Sequence, residues 1–462
     1  MFSEKTLLKK GGIIYAVTNS VKSGFKFKMH QALTQTLVDI SKIRLYITNM
    51  TDIYRNLSEK IDVLLNYFPV VIILGVRQCG KTTLSRILRP DWRYFDLERN
   101  RDFEFVSADF EFFIKEHPHS IIIDESQRFP ALFQELRGVV DRDRKHKNRF
   151  LLTGSSSMEL IKKVSESLAG RVGLVELGTL KINETYHLEL PGFYQIFRRK
   201  ISSKTIDYLK ELTPGVDHDN FIQAFLKGGY PEPVLARDDR FFDAWMDNYI
   251  QTYIQRDIRS LFPRLDLVKY QRLISMLSGL SGTIINRSQV GRSLDISEKA
   301  VRDYLQIAHG SYIWRNLPSY EKSISKSVVK MPKGHFRDNG LSNFLQGVSK
   351  REQLLNYPHV GAAFEAFVTE EIIKGIQACD VSNWTYYYFR TRNGAEIDLI
   401  LEGPFGCLPI EIKLGSKIQQ RSIQTLKSFV YKNDLPLGIV INNNDEVRLV
   451  ADRIIQLPAA CI

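Results

Sequence analysis

The 462-residue chain has the composition of an ordinary soluble globular protein, because 44% of its residues are hydrophobic and 25% are charged. A chain of this length has room for about two to four domains. The apolar run at residues 68–74 is much shorter than the roughly 20 residues of a membrane-spanning helix, so we expect no membrane partner. The four cysteines are far apart and show neither metal-binding nor disulfide spacing, which predicts a reducing, cytoplasmic location.

The net charge of +12 and the pI of about 9.3 are compatible with a nucleic-acid partner but do not require one. Half of this charge lies in residues 1–50, which carry eight basic and two acidic residues. We interpret residues 1–49 as a basic N-terminal extension, because sequence typical of a domain start follows Met50. The extension lacks the apolar segment of a secretory signal, and a transit peptide or a wrongly assigned start codon stays open as an alternative.

The rest of the chain divides into four predicted regions. Residues 50–184 alternate short β-rich apolar runs with helical patterns, which is typical of a parallel α/β sheet. Residues 185–265 are predicted to be helical, residues 266–350 to form a winged-helix-like region, and residues 351–462 to form a second α/β domain. The strand candidates of the first region are residues 70–74, 92–96, 120–124, 150–153 and 172–177.

A phosphate-binding loop is predicted at residues 75–83, directly after the first strand candidate. The residues that fit or follow the pattern G-x-x-x-x-G-K-[ST] and are expected to contact a nucleotide are Gly75, Arg77, Gln78, Cys79, Gly80, Lys81, Thr82 and Thr83. Backbone N–H groups at the start of a helix surround phosphates, and glycines let the backbone close around them. Lys81 is expected to reach the β- and γ-phosphates and the Thr82 hydroxyl to bind Mg²⁺. The sequence therefore predicts a site for ATP with Mg²⁺.

The next strand candidates end in residues suited to hydrolysis. Asp124 is expected to hold the Mg²⁺ shell, and Glu125 to orient and deprotonate the attacking water. Thr153, at the end of the following strand, is expected to hydrogen-bond the γ-phosphate or the water, with a plain turn as the alternative. Arg171 is a candidate for stabilising transition-state charge in its own subunit or a neighbour's, and a surface arginine is the equally open alternative.

Residues 271–318 have the pattern of a winged helix. Its third helix is predicted to be capped by Ser297. The inward face of this helix is expected to consist of Val301, Tyr304 and Leu305, and the outward face of Lys299, Arg302 and Gln306. A recognition helix presents its groove contacts on such an outward face, and the alternative is a lid or a protein contact.

The C-terminal region carries a helix candidate at residues 360–378 and strand candidates at residues 386–390, 396–401, 408–413 and 437–441. Four chemistry-bearing residues fall on these elements, namely Glu365, Asp398, Glu411 and Lys413. A triplet of the form E-x-K has little weight alone, but here Asp398 and Glu411 sit in successive strands with apolar neighbours at alternating positions. The neighbouring Arg390 and Arg392 are either phosphate contacts or plain loop charge.

This order of residues resembles the restriction-endonuclease-like superfamily. The resemblance implies that Asp398 and Glu411 bind a divalent cation through carboxylate oxygens and that Glu365 completes the metal shell. It also implies that Lys413 steadies the attacking water or the developing phosphate charge. Two alternatives stay open: a fold that binds without cleaving, and a structural ion pair in which Lys413 neutralises buried acids.

The chain as a whole resembles prokaryotic AAA-type ATP-binding proteins with a C-terminal domain of unknown function. The segments that carry the resemblance are LGVRQCGKTTL, IIIDESQRFP, LLTGSSS, SLAGR, LKGGYPEPV, YIQRDI, FRTRNGAEIDLIL and PIEIKLG. It covers roughly residues 50–450 and implies an ATPase core of the class with a glutamate after the acidic strand, but it supplies no substrate.

Together these patterns predict an α/β protein with a P-loop AAA-type ATPase core, a helical lid, a winged-helix segment and a C-terminal restriction-endonuclease-like domain. We expect ATP hydrolysis to control a nuclease-like domain that interacts with DNA or another nucleic acid. The alternative is a nucleotide-dependent protein-interaction switch with an inactive nuclease fold. Assembly into a homo-oligomer is left open.

Overall fold

The computed structural model describes residues 6–10, 13–17, 53–155, 164, 166–320, 331–391, 393–415 and 423–462. The chain divides into two units, Met1–Asp52 and Ile53–Ile462. In the first unit, strands β1 (Thr6–Lys10) and β2 (Ile13–Val17) pair antiparallel. The remaining residues of the predicted extension, and Arg392, lie outside the described residues.

A five-stranded parallel sheet forms the centre of the first region of the second unit. Its strands are β3 (Val70–Gly75), β4 (Arg93–Asp96), β5 (Ile121–Asp124), β6 (Phe150–Ser155) and β7 (Val172–Leu177). The strand order is β4-β5-β6-β3-β7. Strands β3 and β5 are buried along their whole length, which explains why they appear in the sequence as unbroken apolar runs. The predicted parallel sheet is confirmed, with strand ends within two residues of the prediction.

Helices cover this sheet, and the first of them after β3 begins inside the predicted loop. They are α1 (Ser58–Tyr67), α2 (Lys81–Leu88), α3 (Asn100–Ser107), α4 (Phe110–Glu116) and α5 (Leu132–Arg142). Helix α2 begins at Lys81, because Gly80 adopts a left-handed φ of 93° and leads directly into the first turn.

Most of residues 182–261 are helical, in line with the helical region predicted at residues 185–265. The elements are α6 (Ile182–Thr185), a 3₁₀ segment (Gly192–Arg198), α7 (Lys204–Lys210), α8 (His218–Lys227), α9 (Pro231–Ala236), α10 (Asp239–Thr252), a π-helical segment (Tyr253–Ile258) and α11 (Arg259–Leu261). Proline opens α9, where its missing N–H costs nothing.

The next region combines three helices with a small antiparallel sheet. Its elements are α12 (Leu267–Gly279), β8 (Thr283–Ile284), α13 (Arg287–Leu294), α14 (Glu298–Gly310), β9 (Trp314–Leu317) and β10 (Lys333–Phe336), with the sheet order β8-β10-β9. Ser297 caps α14 by accepting a hydrogen bond from the Ala300 N–H at 3.1 Å, as predicted. The predicted inward residues of α14 are buried and the predicted outward residues are exposed.

Two short helices, α15 (Asn339–Leu345) and α16 (Arg351–Leu355), lead into the C-terminal domain. That domain contains α17 (Val360–Ala378), β11 (Thr385–Arg390), β12 (Glu396–Gly403), β13 (Gly406–Lys413), α18 (Gln424–Lys432), β14 (Gly438–Asn442), β15 (Arg448–Ala451) and β16 (Ile454–Pro458). Its mixed sheet has the order β11-β12-β13-β14-β16-β15. The helix and four strands predicted here are confirmed, and β15 and β16 were not predicted.

The described part of the chain contains no helix that is both long and apolar enough to cross a bilayer.

Candidate functional site

The predicted phosphate loop connects the carboxyl end of β3 to the first turn of α2. A Cβ atom on Gly75 would lie 2.1 Å from the carbonyl oxygen of Leu177 in the neighbouring strand β7, so only glycine fits there. Gly80 closes the loop in a left-handed conformation that glycine adopts without strain. The backbone N–H groups at the start of α2 therefore lie where a phosphate group is bound in such loops.

Lys81 is folded into this loop. Its ammonium group donates hydrogen bonds to the carbonyl oxygens of Gly75, at 3.1 Å, and of Val76, at 2.9 Å. The side chain is buried, and a buried ammonium needs such partners to offset its lost hydration. That Lys81 exchanges these carbonyl oxygens for phosphate oxygens stays a prediction.

Asp124, at the carboxyl end of β5, is the point at which the site converges. Its Oδ2 accepts hydrogen bonds from the Thr82 hydroxyl at 2.7 Å and from the Tyr94 hydroxyl at 2.6 Å, and its Oδ1 accepts one from the Thr153 hydroxyl. A carboxylate beside a threonine hydroxyl is the hard oxygen donor set that Mg²⁺ prefers, so Thr82 and Asp124 fit this ion.

Tyr94 is a member of this group that sequence reasoning missed. Burial, together with its hydrogen bond to Asp124, raises the pKa of the Tyr94 phenol, which stays a proton donor to the carboxylate. Tyr94 comes close to Asp124 because its strand, β4, pairs with β5. The local sequence pattern does not reveal which strands are neighbours, so the sequence offered no signal for this contact.

Glu125 follows Asp124 and has a left-handed φ of 53°. Its backbone N–H donates to the Thr153 hydroxyl at 3.2 Å, which joins the two predicted hydrolysis residues. Its carboxylate accepts hydrogen bonds from the Ser155 hydroxyl at 2.7 Å and from the side-chain amide of Gln127. Ser155 and Gln127 were not predicted, and both lie within segments that carry the family resemblance.

The two candidate arginines lie elsewhere. Arg77 leaves the loop and forms ion pairs with Asp257 in the π-helical segment and with Glu98 at 3.3 Å. Arg171 donates to the carboxylate of Asp141, with its Nε atom at 2.7 Å and its Nη2 atom at 3.0 Å. Hydrogen bonds from Arg171 and, next in size, from Arg144 lower the pKa of Asp141 to about 2.

The strand register corrects the prediction for Arg171 in its own subunit. Val172, which starts β7, pairs with Val70 at the amino end of β3, whereas the phosphate loop begins at the carboxyl end of that strand. A six-residue strand separates these two edges of the sheet by about 17 Å. In this conformation Arg171 does not reach a phosphate in the loop of the same chain, and a role in a neighbouring subunit stays a prediction.

Arg55 is another functional candidate without a sequence signal. Its guanidinium donates to the carbonyl oxygens of Cys79 and Gly178, both at 2.8 Å, and forms an ion pair with Glu184 at 3.1 Å. The side chain is buried. Arg55 therefore fixes the phosphate loop to the segment that follows β7.

The four predicted residues of the C-terminal domain come together at one end of its sheet. Antiparallel pairing of β12 with β13 places Asp398 beside Glu411. The Lys413 ammonium lies 3.2 Å from Asp398 Oδ2 and 2.7 Å from Glu411 Oε1, and the Ile412 N–H donates to Asp398 Oδ2 at 2.8 Å.

An unpredicted lysine occupies the centre of this cluster. Lys333, from β10 of the small antiparallel sheet, forms ion pairs with Glu365, with Glu396 at 2.9 Å and with Asp398 at 3.6 Å. Burial is the main cause that raises the pKa of Glu365 to about 8 and of Glu411 to about 9, and the neighbouring Asp398 charge adds to both. Lys333 and Lys413 lower the pKa of Asp398 although burial opposes them.

This arrangement concerns only the C-terminal members of the predicted metal set, which are Glu365, Asp398 and Glu411. Among the residues that the structure describes, no group of three or more His, Cys, Asp or Glu side chains is placed to hold a metal ion. Glu365, Asp398 and Glu411 do come together, but they are organised around ammonium groups. In this conformation they do not fit a divalent cation.

A buried network of charges links the regions. Arg315, in β9, binds Glu370 of α17 and lies 3.1 Å from Glu176 of β7. Arg337, just after β10, also binds Glu176, at 2.8 Å. His335 contacts Glu370 at 2.9 Å, and burial lowers the pKa of this histidine. The ATPase sheet, the small antiparallel sheet and α17 therefore share one set of ion pairs.

Comparison with known proteins gives matches along most of the second unit. An AAA domain matches residues 67–186, and two domains of unknown function, DUF8612 and DUF4143, match residues 218–352 and 360–462. An uncharacterized protein of Mycobacterium tuberculosis is 34% identical over 351 residues, which cover 75% of this chain and 71% of that protein. An uncharacterized protein of Methanocaldococcus jannaschii is 22% identical over 368 residues, or 75% of each chain.

Among solved structures, the Walker-type ATPase PABY2304 of Pyrococcus abyssi aligns with 63% of this chain and 94% of its own, at 14% identity and a TM-score of 0.35. The mycobacterial protein is 34% identical to this chain over 71% of its own length, and this similarity shows that the two proteins are related. This chain therefore belongs to the same family as the mycobacterial protein, and it carries an AAA-type P-loop ATPase domain followed by two domains of unknown function.

Proposed function

We propose that this protein binds ATP with Mg²⁺ in the loop at residues 75–83 and hydrolyses it. The observation that carries the proposal is that the Asp124 carboxylate accepts hydrogen bonds from the hydroxyls of Thr82 and Thr153 and lies next to Glu125. A magnesium ligand, a candidate for sensing the γ-phosphate and a candidate base are therefore adjacent at one edge of the sheet. P-loop ATPases place the parts of their hydrolytic site in this way.

The proposed chemistry assigns one task to each side chain. Lys81 binds the β- and γ-phosphates, and Thr82 and Asp124 hold Mg²⁺, which when bound neutralises charge that develops on the phosphates. Glu125 takes a proton from the attacking water while the oxygen of that water forms a bond to the γ-phosphorus. The bond between the γ-phosphorus and the β,γ-bridging oxygen breaks in the same step, and ADP leaves. Ser155 and Gln127 orient the Glu125 carboxylate through their hydrogen bonds.

Replacing the proposed base tests this assignment. Glu125→Gln keeps the shape of the side chain but cannot accept the proton, so we expect ATP binding to stay within about twofold and phosphate release to fall at least ~100-fold. The measurement is steady-state phosphate release beside equilibrium ATP binding. Glu116→Gln, at an exposed position at the end of α4, is the matched control and should change neither quantity. Wild-type turnover by Glu125→Gln would remove Glu125 from the mechanism.

The proposal extends to the regions that follow the ATPase sheet. Residues 267–336 are proposed to be a winged helix, supported by their order of one helix, one strand, two helices and two strands and by the sheet order β8-β10-β9. Residues 360–462 are proposed to have a restriction-endonuclease-like fold. Support comes from α17, the antiparallel strands β11 to β13, and the crossover through α18 to the parallel strand β14.

Nucleotide state is proposed to control these C-terminal regions. Glu176, which binds Arg315 and Arg337, precedes Leu177, and the Leu177 carbonyl oxygen accepts a hydrogen bond from the Cys79 thiol in the phosphate loop at 3.4 Å. If ATP binding moves the phosphate loop, the movement acts close to Glu176, whose buried ion pairs with Arg315 and Arg337 connect the ATPase sheet to the small antiparallel sheet. The exposed Lys299, Arg302 and Gln306 on α14 support nucleic acid as the partner.

A second candidate function is favoured by one observation. The carboxylates of the nuclease-like cluster are held by Lys333 and Lys413. A domain in this state binds partners but does not carry out metal-dependent cleavage. We therefore propose, as the alternative, a nucleotide-dependent interaction module in the conformation in which Lys333 and Lys413 hold these carboxylates. Incubation of plasmid DNA with Mg²⁺ or Mn²⁺ is expected to leave it intact, and cleavage that Asp398→Ala abolishes would restore the nuclease assignment.

A further inference from the structure

The carboxylate cluster of the C-terminal domain receives Lys333 from outside that domain. Lys333 starts β10, which pairs with β8 and β9 of the small antiparallel sheet and contacts α17. Its side chain is only 3% exposed. The residue belongs to one module, and its ammonium group lies among the carboxylates of another.

The Lys333 ammonium lies among carboxylates in the way that a bound metal cation would. It contacts Glu365 from helix α17 and Glu396 and Asp398 from strand β12. A hard divalent cation held by carboxylates from several elements makes the same kind of contacts, at 2.0–2.6 Å. The ammonium differs from such an ion because it carries half the charge and is attached to the chain.

Glu411 keeps unused binding capacity in the same cluster. Its Oε1 atom lies 2.7 Å from the Lys413 ammonium, whereas its Oε2 atom is buried and accepts no hydrogen bond from the residues that the structure describes. The residue as a whole is 5% exposed. A buried carboxylate oxygen without a partner is costly, and a cation is one way to satisfy it.

We propose that Lys333 is the built-in cation of this cluster, so that it excludes divalent metal from Glu365, Asp398 and Glu411 until β10 withdraws it. A metal ion entering the occupied cluster would lie beside an ammonium group in a buried, weakly screened place, and the repulsion opposes binding. Once Lys333 leaves, three carboxylates from α17, β12 and β13 converge without it. The cluster then has the donors that a Mg²⁺- or Mn²⁺-sized ion requires.

A shift of β10 would move Lys333 out of the cluster. Arg337 follows β10 at its other end and binds Glu176 of the ATPase sheet at 2.8 Å. A shift of β10 therefore changes an ion pair with the ATPase sheet at one end and the cation of the carboxylate cluster at the other. The inference rests on the proposed nuclease-like fold of the C-terminal domain and is independent of ATP hydrolysis.

Counting bound Mn²⁺ tests the proposal on the full-length chain without nucleotide. All variants carry Asp124→Asn, which removes the predicted metal ligand of the ATPase site. This parent is expected to bind no Mn²⁺ at the carboxylate cluster, so adding Glu411→Gln should change nothing. Adding Lys333→Met should create about one Mn²⁺ site per chain, with an affinity at least ~10-fold higher than any residual Mn²⁺ binding by the parent. Adding Glu411→Gln to that variant should remove the site again. Lys299→Met, at an exposed lysine of α14, is the matched control and should create no site.

Three results overturn the proposal. The first is a Mn²⁺ ion in the parent that Glu411→Gln removes, because Lys333 would then not exclude metal. The second is a folded Lys333→Met variant that gains no site. If this variant is unstable, Mn²⁺ should raise its midpoint of thermal unfolding while leaving that of the parent unchanged, since metal replaces the lost ammonium. A variant that stays unfolded in saturating Mn²⁺ also contradicts the proposal. None of these results bears on phosphate release by the wild-type chain, which tests ATP hydrolysis separately.

Discussion

The side chains that donate to Asp124 come from two strands and one helix of the ATPase domain. Thr82 belongs to α2, Tyr94 to β4 and Thr153 to β6, and all three donate to the same carboxylate on β5. Since the carboxyl ends of parallel strands meet at one edge of a sheet, strand-end residues are brought together without any local sequence signal. A single substitution in this group is therefore expected to disturb several contacts.

The same reasoning explains which site residues the sequence predicts. Lys81 and Asp124 are predictable because the first follows a spaced glycine motif and the second ends an apolar run. Tyr94, Arg55 and Lys333 are not, because their roles arise from contacts across different elements. Arg55 is 24 residues from Cys79, and Lys333 is 63 residues from Glu396.

At the scale of one residue, Gly75 is expected to tolerate no side chain. In Gly75→Ala the added Cβ would clash with the Leu177 carbonyl oxygen, which is fixed in the sheet and cannot move aside. We expect the free energy of unfolding to fall by about 1–3 kcal/mol and ATP affinity to fall at least ~10-fold. Chemical denaturation and equilibrium ATP binding measure the two effects.

Gly138, on the exposed face of α5, provides the control for that substitution. A Cβ there would meet no atom within 4 Å, and alanine favours a helix over glycine by about 1 kcal/mol. Gly138→Ala should leave ATP affinity unchanged and stability unchanged or raised. Equal losses in the two variants would mean that the close approach of β3 to β7 does not shape the loop.

At the scale of elements, helix α14 shows what periodic patterns predict well. Its cap at Ser297 and its alternation of buried and exposed positions follow from the 3.6-residue helical repeat, and both agree with the structure. Strand β10 illustrates the opposite case. Its four residues, Lys-Gly-His-Phe, are all buried, and the two basic ones, Lys333 and His335, are paired with carboxylates on α17 and β12. No hydrophobic pattern reveals such a strand.

The exposed face of α14 is the element on which the nucleic-acid proposal depends. Reversing two charges in Lys299→Glu/Arg302→Glu should lower affinity for duplex DNA about 10-fold at low salt, since phosphate contacts bind largely through released counterions. The slope of log K against log salt concentration should decrease in magnitude by about two units. Binding across a salt series is the measurement.

The matched control for α14 reverses the same number of charges on the ATPase domain. Lys115→Glu/Lys145→Glu alters two exposed positions, at the end of α4 and just after α5, and should have a clearly smaller effect. If both double variants weaken DNA binding equally, general charge rather than α14 accounts for the binding.

At the scale of the whole second unit, two carboxylate sites of different character occupy the two α/β sheets. In the ATPase domain, Asp124, the proposed Mg²⁺ ligand, is surrounded by neutral hydroxyl groups. In the C-terminal domain, Asp398 is paired with two lysines. Arg315, buried between Glu176 and Glu370, joins the regions that carry these sites. No local pattern in the sequence reveals this connection.

The central claim is that the loop at residues 75–83 binds ATP through Lys81. Titration of the full-length chain with ATP and Mg²⁺ by calorimetry tests it most directly, with Lys81→Ala beside the wild type. The expected result is about one ATP per wild-type chain and no detectable binding by the folded variant. Wild-type affinity in Lys81→Ala would contradict the claim.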